Sequence, residues 1–228
     1  ALNHCSANLG CKVELKWVET TELDDVTCLE GISGIIVPGG FGSRGAEGKI
    51  QVIRMARECG IPFLGLCLGL QLAVIEFARN VCGLEGADST EMNPETPHPV
   101  IDILPEQREI TEKGGTMRLG AYTAILDETS LVHSLYRTKE VSERHRHRYE
   151  VNPEYHEVLV QNGMVLSGMS ADGKLVEFIE LPSHKFFVAT QAHPELKSRI
   201  DSPAPLFYGF VKACLPGCPI DNRPVNTR

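Results

Sequence analysis

The stretch Phe63-Leu64-Gly65-Leu66-Cys67-Leu68-Gly69-Leu70-Gln71 constrains the fold of this chain more than any other. Pro62–Leu66 is a short apolar run of strand type, and helical spacing takes over from about Leu68 to Arg79. The switch leaves no room for a loop, so the chain must turn sharply at Cys67, with a glycine two residues to either side. This is the G-x-nucleophile-x-G arrangement with Cys in place of Ser. Such a turn holds its central residue in a strained backbone conformation, and the flanking glycines relieve crowding where strand and helix approach. The helix N-terminus adds unpaired N–H groups and a positive dipole end, both favouring the nucleophilic thiolate. A lone Cys at a strand end is more often an inert buried residue. The paired glycines and the strand–helix setting turn the reading toward a nucleophile.

Short strands and helices alternate around this turn. Ile35-Ile36-Val37 runs into Pro38-Gly39-Gly40, and Ile50, Ile53 and Ala56 have helical spacing ended by Gly60. Val13–Val18 alternates and predicts a further strand. Farther on, Met117–Leu126, Arg144–Val151, Met164–Met169, Leu175–Leu181 and Phe186–Gln191 are strand-like, with a hairpin signal at Asp172-Gly173. Asn152-Pro153 starts a short helix that Gly163 ends, Leu206–Leu215 is a closing helix, and 105–115 reads as a polar loop. The expectation is a single α/β domain over residues 1–228, with a mostly parallel central sheet, helices on both faces and antiparallel additions. The 228 residues, 42% hydrophobic, suffice for such a core.

A formal charge of −8 argues against broad binding to nucleic acid or to anionic membrane surfaces, and no apolar run approaches bilayer length. Eight cysteines without a CxxC pair fit a reducing, cytoplasmic compartment rather than a disulfide framework or a zinc site. No signal peptide is evident, and Ala1-Leu2 reads as the middle of a helix, so the chain is expected to be cut from something longer.

A thiol nucleophile needs an imidazole within reach and a third group to orient it. Ala189-Thr190-Gln191-Ala192-His193-Pro194-Glu195 offers both: His193 just past a strand end, and Glu195 two residues on. Gly39-Gly40 suits a backbone donor that needs close approach, although PGGFG is also an ordinary glycine-rich turn. It lacks the Lys-Ser/Thr of a phosphate loop. Alone, Glu91 reads as a solvated loop acid. Arg144–Arg148 leaves open a phosphate-binding strand face, or a metal pair at His145 and His147, though no third ligand cluster accompanies them and no metal is expected.

Gly65–Gly69 with His193-Pro194-Glu195 resembles the Cys–His–Glu triad of the class I (triad) glutamine amidotransferases, whose fold is flavodoxin-like. The strings from Pro38 to Gly45, Asn80 to Glu91, Gly114 to Gly120 and Glu143 to Asn152 resemble the branch in which a synthetase domain precedes this one and converts UTP to CTP. The resemblance implies that Cys67 attacks the side-chain amide of L-glutamine, that His193 moves the protons and that Glu195 orients it. Backbone N–H groups of Gly40 and Leu68 would form the oxyanion hole. Gly40, Leu68, Gly69, Leu70, Gln71, Glu91 and Arg148 would hold glutamine, Glu91 at the α-ammonium and Arg148 at the α-carboxylate. It implies no cofactor in this domain. ATP, Mg2+ and the activator GTP belong to the full-length enzyme, a homotetramer assembled largely through the N-terminal synthetase domain. Two departures stand out. The strand that usually precedes the first helix is absent, and Ala192 and Leu196 flank His-Pro-Glu where aromatic residues are more usual. The pattern around Cys67 alone does not separate this reading from a free-standing thiol hydrolase or a non-catalytic docking module of the same fold.

Overall fold

The computed structural model describes residues 1–21, 29, 31–103 and 117–217. The polar segment 105–115, and Gly114-Gly115-Thr116 of the glycine-rich string, lie outside the described residues.

Strands β1 (Ile35–Val37), β2 (Phe63–Leu66) and β10 (Phe187–Thr190) form the parallel part of the sheet, with β2 between the other two. Each is buried, and the period-2 alternation sends its side chains to two different layers. Phe63, Phe187 and Ala189 pack toward α2 (Ala46–Cys59) and α3 (Leu68–Asn80). Leu64, Leu66 and Val188 pack toward α1 (Leu2–Leu9) and α6 (Pro205–Cys214), against Cys5, Phe207 and Phe210. Because β2 feeds straight into α3, Cys67 falls at the C-terminal edge of the parallel strands, where open α/β sheets place their chemistry.

The sheet then continues through four antiparallel pairings. In the order β10-β9-β8-β5-β6 these add β9 (Val176–Glu180), β8 (Val165–Ser170), β5 (Arg118–Leu126) and β6 (Glu140–His147). The α/β class is as expected, but the central sheet is mixed rather than mostly parallel, because the antiparallel additions supply more than half of its seven strands. A second, three-stranded sheet joins β3 (Asp88–Ser89), β4 (Pro99–Asp102) and β7 (Glu150–Val151). It packs on α3 through Val100, Ile101 and Val151. α4 (Leu131–Tyr136), capped by the Ser130 hydroxyl, and α5 (His156–Gln161) complete the elements.

A second sequence expectation is overturned. Val13–Val18 forms no strand. Alternation marks two faces but does not supply a neighbour to pair with, and here the apolar face is covered only at Val13: Leu15 is 57% and Trp17 86% exposed. The segment instead crosses the start of α2, where the Thr20 hydroxyl donates to Gly45 O at 3.0 Å. No described helix is long and apolar enough to cross a membrane.

Candidate active site

Cys67 sits between β2 and α3 with φ 51° and ψ −101°, a positive φ that only one other described non-glycine residue, Arg137, shares. Two things hold it there. Its N–H donates to Thr190 O at 2.7 Å, tying it to the end of β10, and its carbonyl accepts from Leu70 N at 3.0 Å as the helix begins. The glycines on either side are required by contact. A methyl on Gly65 would lie 2.8 Å from both the Gly69 backbone and Ala189 Cβ, and one on Gly69 would lie 2.1 Å from Val37 O. Leu68 and Gly69 open the helix, so their N–H groups have no acceptor within it. The side chain of Leu70 is fully buried in the core.

His193 lies three residues past β10, its N–H held by Arg144 O at 2.8 Å. Nδ1–H donates to Glu195 Oε1 at 2.7 Å, which Pro194 and the short 3-10 turn Pro194–Lys197 bring within reach. Nε2 is left for the sulfur. Gly39 borders the gap between them: a methyl there would stand 2.7 Å from His193 Cε1 and 3.5 Å from both His193 Nε2 and Cys67 Cβ. The neighbouring Cys67 sulfur, then Glu195, raise the His193 pKa from 6.5 to about 10. The ring is thus favoured as imidazolium between sulfur and carboxylate. Replacing Cys67 with Ala removes the first of these causes. The midpoint of His193, followed by imidazole NMR, is expected to fall from about 10 toward 6.5, and an unchanged midpoint would mean the sulfur does not face the ring.

On the other side of Cys67 a cleft opens. It brings together Gly40, Gln71, Glu91 and Arg148 of the sequence-predicted residues, with Phe41, Met117, His147 and Tyr149 in addition. Glu91 is held at the cleft by Gly42 N–H, which donates to Oε1 at 3.2 Å. Gln71 donates to Tyr149 O at 3.0 Å and to Gln191 Oε1 at 3.3 Å, and Gln191 Nε2 reaches Cys67 Sγ at 3.8 Å. Gln191 was missed from sequence, because a Gln within a strand-like run carries no spacing signal of its own, and His147 was read there only as half of a possible metal pair. His145 and His147 hydrogen-bond to each other at 2.9 Å rather than opening toward a shared ion. Among the described residues no group of three or more His, Cys, Asp or Glu could hold a metal.

A parallel α/β core presenting a strained Cys at a strand–helix turn, beside an imidazole anchored on a carboxylate, is the arrangement that thiol-dependent hydrolases and transferases use. Residues 1–213 match the family model described as glutamine amidotransferase class-I, and the chain belongs to that family. Within it, the close relatives are CTP synthases. That of Methanococcus maripaludis is 60% identical over 94% of this chain, and that of Caldanaerobacter subterraneus 56% identical over 94%. The chain spans 42% and 41% of the length of those two relatives. Among solved structures, the glutaminase domain of Trypanosoma brucei CTPS with bound acivicin superposes with a TM-score of 0.86 at 38% identity, over 93% of this chain and 84% of that one.

Proposed function

We propose that this chain is a glutaminase domain that hydrolyses L-glutamine to glutamate and ammonia for a CTP-forming synthetase. Cys67 is the nucleophile, His193 the proton carrier and Glu195 its orienting group. The observation that carries the reading is Cys67 at φ 51°, set beside an imidazole already fixed by Glu195.

The thiolate adds to the carbonyl carbon of the glutamine side chain. The resulting oxyanion is met by the N–H groups of Gly40 and Leu68. His193 Nε2–H gives its proton to the amide nitrogen, the C–N bond breaks and ammonia leaves, so that a glutamyl thioester and a neutral imidazole remain. Water then gives a proton to His193 as its oxygen adds to the thioester carbonyl. The C–S bond breaks, and glutamate leaves with the imidazolium–thiolate pair restored. Glu91 and Arg148 receive the α-ammonium and α-carboxylate, the guanidinium as a fork. Gln71, fixed by Tyr149 O and Gln191, floors the cleft. Leu68, Gly69 and Leu70 contribute the first turn of α3 rather than side chains.

The relatives' greater length supports a preceding synthetase domain in the same polypeptide. The amination of UTP with ATP and Mg2+, its stimulation by GTP and tetramer formation are assigned to the whole enzyme. A cytoplasmic location goes with this reading.

The test is mass spectrometry after incubation with 6-diazo-5-oxonorleucine, a glutamine-mimicking electrophile, with excess glutamine as competitor. One adduct on Cys67, suppressed by glutamine, is expected. A folded chain that gives no adduct would overturn the claim that this domain is catalytic by itself and favour a docking module.

A further inference from the structure

Behind the cleft, the inner face of β5–β6 and the adjoining β7 and β9 enclose five ionisable side chains that the hydrolysis above does not use. They are Arg118, His145, His147, Glu150 and Glu177, none more than 8% exposed. Arg118 donates from Nη2 to Glu177 Oε1 at 2.7 Å and from Nη1 to Glu150 Oε1 at 3.3 Å. His147 Nδ1 lies 3.2 Å from the Tyr149 carbonyl oxygen and 3.4 Å from Glu150 Oε1. Both are acceptors, so Nδ1 carries the hydrogen and Nε2 is the lone pair. That lone pair lies 2.9 Å from His145 Nδ1, which must therefore donate. His145 Nε2 is then a lone pair as well, and it faces Glu177 Oε2 at 3.5 Å. Neither Oε2 of Glu177 nor Oε2 of Glu150 has a hydrogen-bond partner.

Two buried acceptors turned toward each other call for a proton between them. The charge count calls for the same proton. One guanidinium against two carboxylates, with both imidazoles neutral, leaves a net negative charge in an interior where an uncompensated charge is costly.

We propose that this cluster holds one proton in excess of its ion pairs, shared between Glu177 and Glu150 through the two imidazoles, and that the two glutamates thereby act as positioning residues for the nucleophile cleft. In the transfer, Glu177 Oε2–H gives its proton to His145 Nε2, His145 Nδ1–H to His147 Nε2, and His147 Nδ1–H to Glu150 Oε1. Each bond to hydrogen that breaks is matched by one that forms, and the charge of the cluster is constant. Burial raises both carboxyls, Glu150 to about 8, against the pull of Arg118. Burial also lowers His145 to about 3 and His147 well below its ordinary value, so the proton resides on a carboxyl rather than as an imidazolium. Asp172 adds to the rise at Glu177, and His193 and Arg118 to the fall at both histidines. The Tyr122 ring covers Arg118 at 4.5 Å.

The backbone links the cluster to the site. Glu177 O accepts from Thr190 Oγ1 at 3.0 Å and from Gln191 N at 2.9 Å, just ahead of His193. His147 lines the cleft, and Arg146 O lies 4.0 Å from Cys67 Sγ. Losing the proton sets a buried negative charge beneath these strand ends. Only this catalytic consequence rests on the glutaminase reading.

The test uses the full chain with 13C-carboxyl-labelled glutamate, as wild type, Glu150→Gln and Glu177→Gln, followed by NMR from pH 5 to 10. One carboxyl resonance is expected at the protonated position at pH 7 in the wild type and absent from both variants. Glu177→Gln satisfies the chain without the extra proton, its amide N–H donating to His145 Nε2 while its oxygen accepts from Arg118; Glu150→Gln removes the second carboxylate, its oxygen still accepting from Arg118 and from His147 Nδ1–H. In urea, the wild-type unfolding constant should rise relative to either variant by up to about tenfold per pH unit between roughly pH 5 and 8. Both variants should keep the wild-type kcat for glutamine at pH 7, and the onset of its decline should move from roughly pH 8 in the wild type toward the His193 midpoint of about 10. Finding no variant-sensitive protonated glutamate in the wild type overturns the shared proton, and kcat profiles that superimpose overturn the positioning role. Failure of a variant to fold leaves the wild-type titration to decide, and a chain without glutaminase activity bears on Cys67 while leaving the NMR result standing.

Discussion

Replacing Cys67 with Ala is expected to lower glutamine hydrolysis by about 10⁴-fold or more while the fold is retained. Removing the nucleophile of a thiol or serine hydrolase leaves only binding and oxyanion stabilisation, and in comparable triads the loss is on the order of 10⁶ in kcat. Stability should change little, because Cys67 is small and its position is fixed by backbone bonds to Thr190 O and from Leu70 N. A Gly at the same place separates the two roles further. The φ of 51° is a strained conformation for an L-residue and an ordinary one for Gly. Cys67→Gly is therefore expected to be as inactive as Cys67→Ala yet about 1 kcal/mol more stable than it. The measurement pairs steady-state glutaminase kinetics with urea unfolding of the three proteins. If Cys67→Ala retained a tenth of the activity, the nucleophile would lie elsewhere. If Gly were no more stable than Ala, the strain at the turn would not be real.

The nucleophile turn was legible in sequence because every local signal there agrees: an apolar run, two glycines, a Cys, and an immediate change of period from two to 3.6. His193-Pro194-Glu195 was legible for a similar reason, since a proline-stiffened turn after a buried strand leaves its His and Glu few ways to point. The parallel strands announced themselves through continuous apolar runs. The strand β6 did not. Its buried face is Val141, Glu143, His145 and His147, so hydrophobic alternation marks neither its start at Glu140 nor its inner side. The same polarity hid the ionisable cluster, whose members are spread from Arg118 to Glu177 and meet only through the antiparallel pairing of β5 with β6 and β8, and of β8 with β9. Val13–Val18 failed in the opposite direction, with a clean alternating pattern and no edge to join. β3 and α4 are too short for periodicity to register. For Glu91 residue type alone favoured a solvated loop acid, for Arg148 it left open a phosphate-binding strand face, and the resemblance singled both out. The structure places both on the cleft that Cys67 opens into.

Gly69→Ala should have the largest effect on stability of any single methyl added to this chain's core. Gly69 has an ordinary helical backbone, so the requirement for glycine is purely one of space. The added Cβ would stand 2.1 Å from the Val37 carbonyl oxygen, where normal contact begins near 3.4 Å. The obstacle is backbone of the neighbouring strand rather than the end of a flexible side chain, so α3 and β1 must separate by roughly 1 Å in a close-packed layer. Overpacking of this kind costs about 1–3 kcal/mol when side chains can yield, and more when they cannot. A loss above about 3 kcal/mol corresponds to a fall in Tm of about 10 °C for a chain of this size, or to insoluble protein. The contrast is Gly83→Ala, where φ is 71° but nothing lies within 4 Å. It should cost only the conformational strain of about 1 kcal/mol. Val37 leads directly into Pro38-Gly39-Gly40, so whatever Gly69→Ala protein folds should also be deficient in glutamine hydrolysis, because the proposed oxyanion donors at Gly40 and Leu68 move apart. Trimming Val37 to Ala should not restore it, since the obstructing atom is a main-chain oxygen. Thermal melts of the two glycine variants and the double variant decide the matter. A Gly69→Ala protein that melts within about 2 °C of the wild type would show that helix and strand do not approach as closely as the nucleophile turn requires.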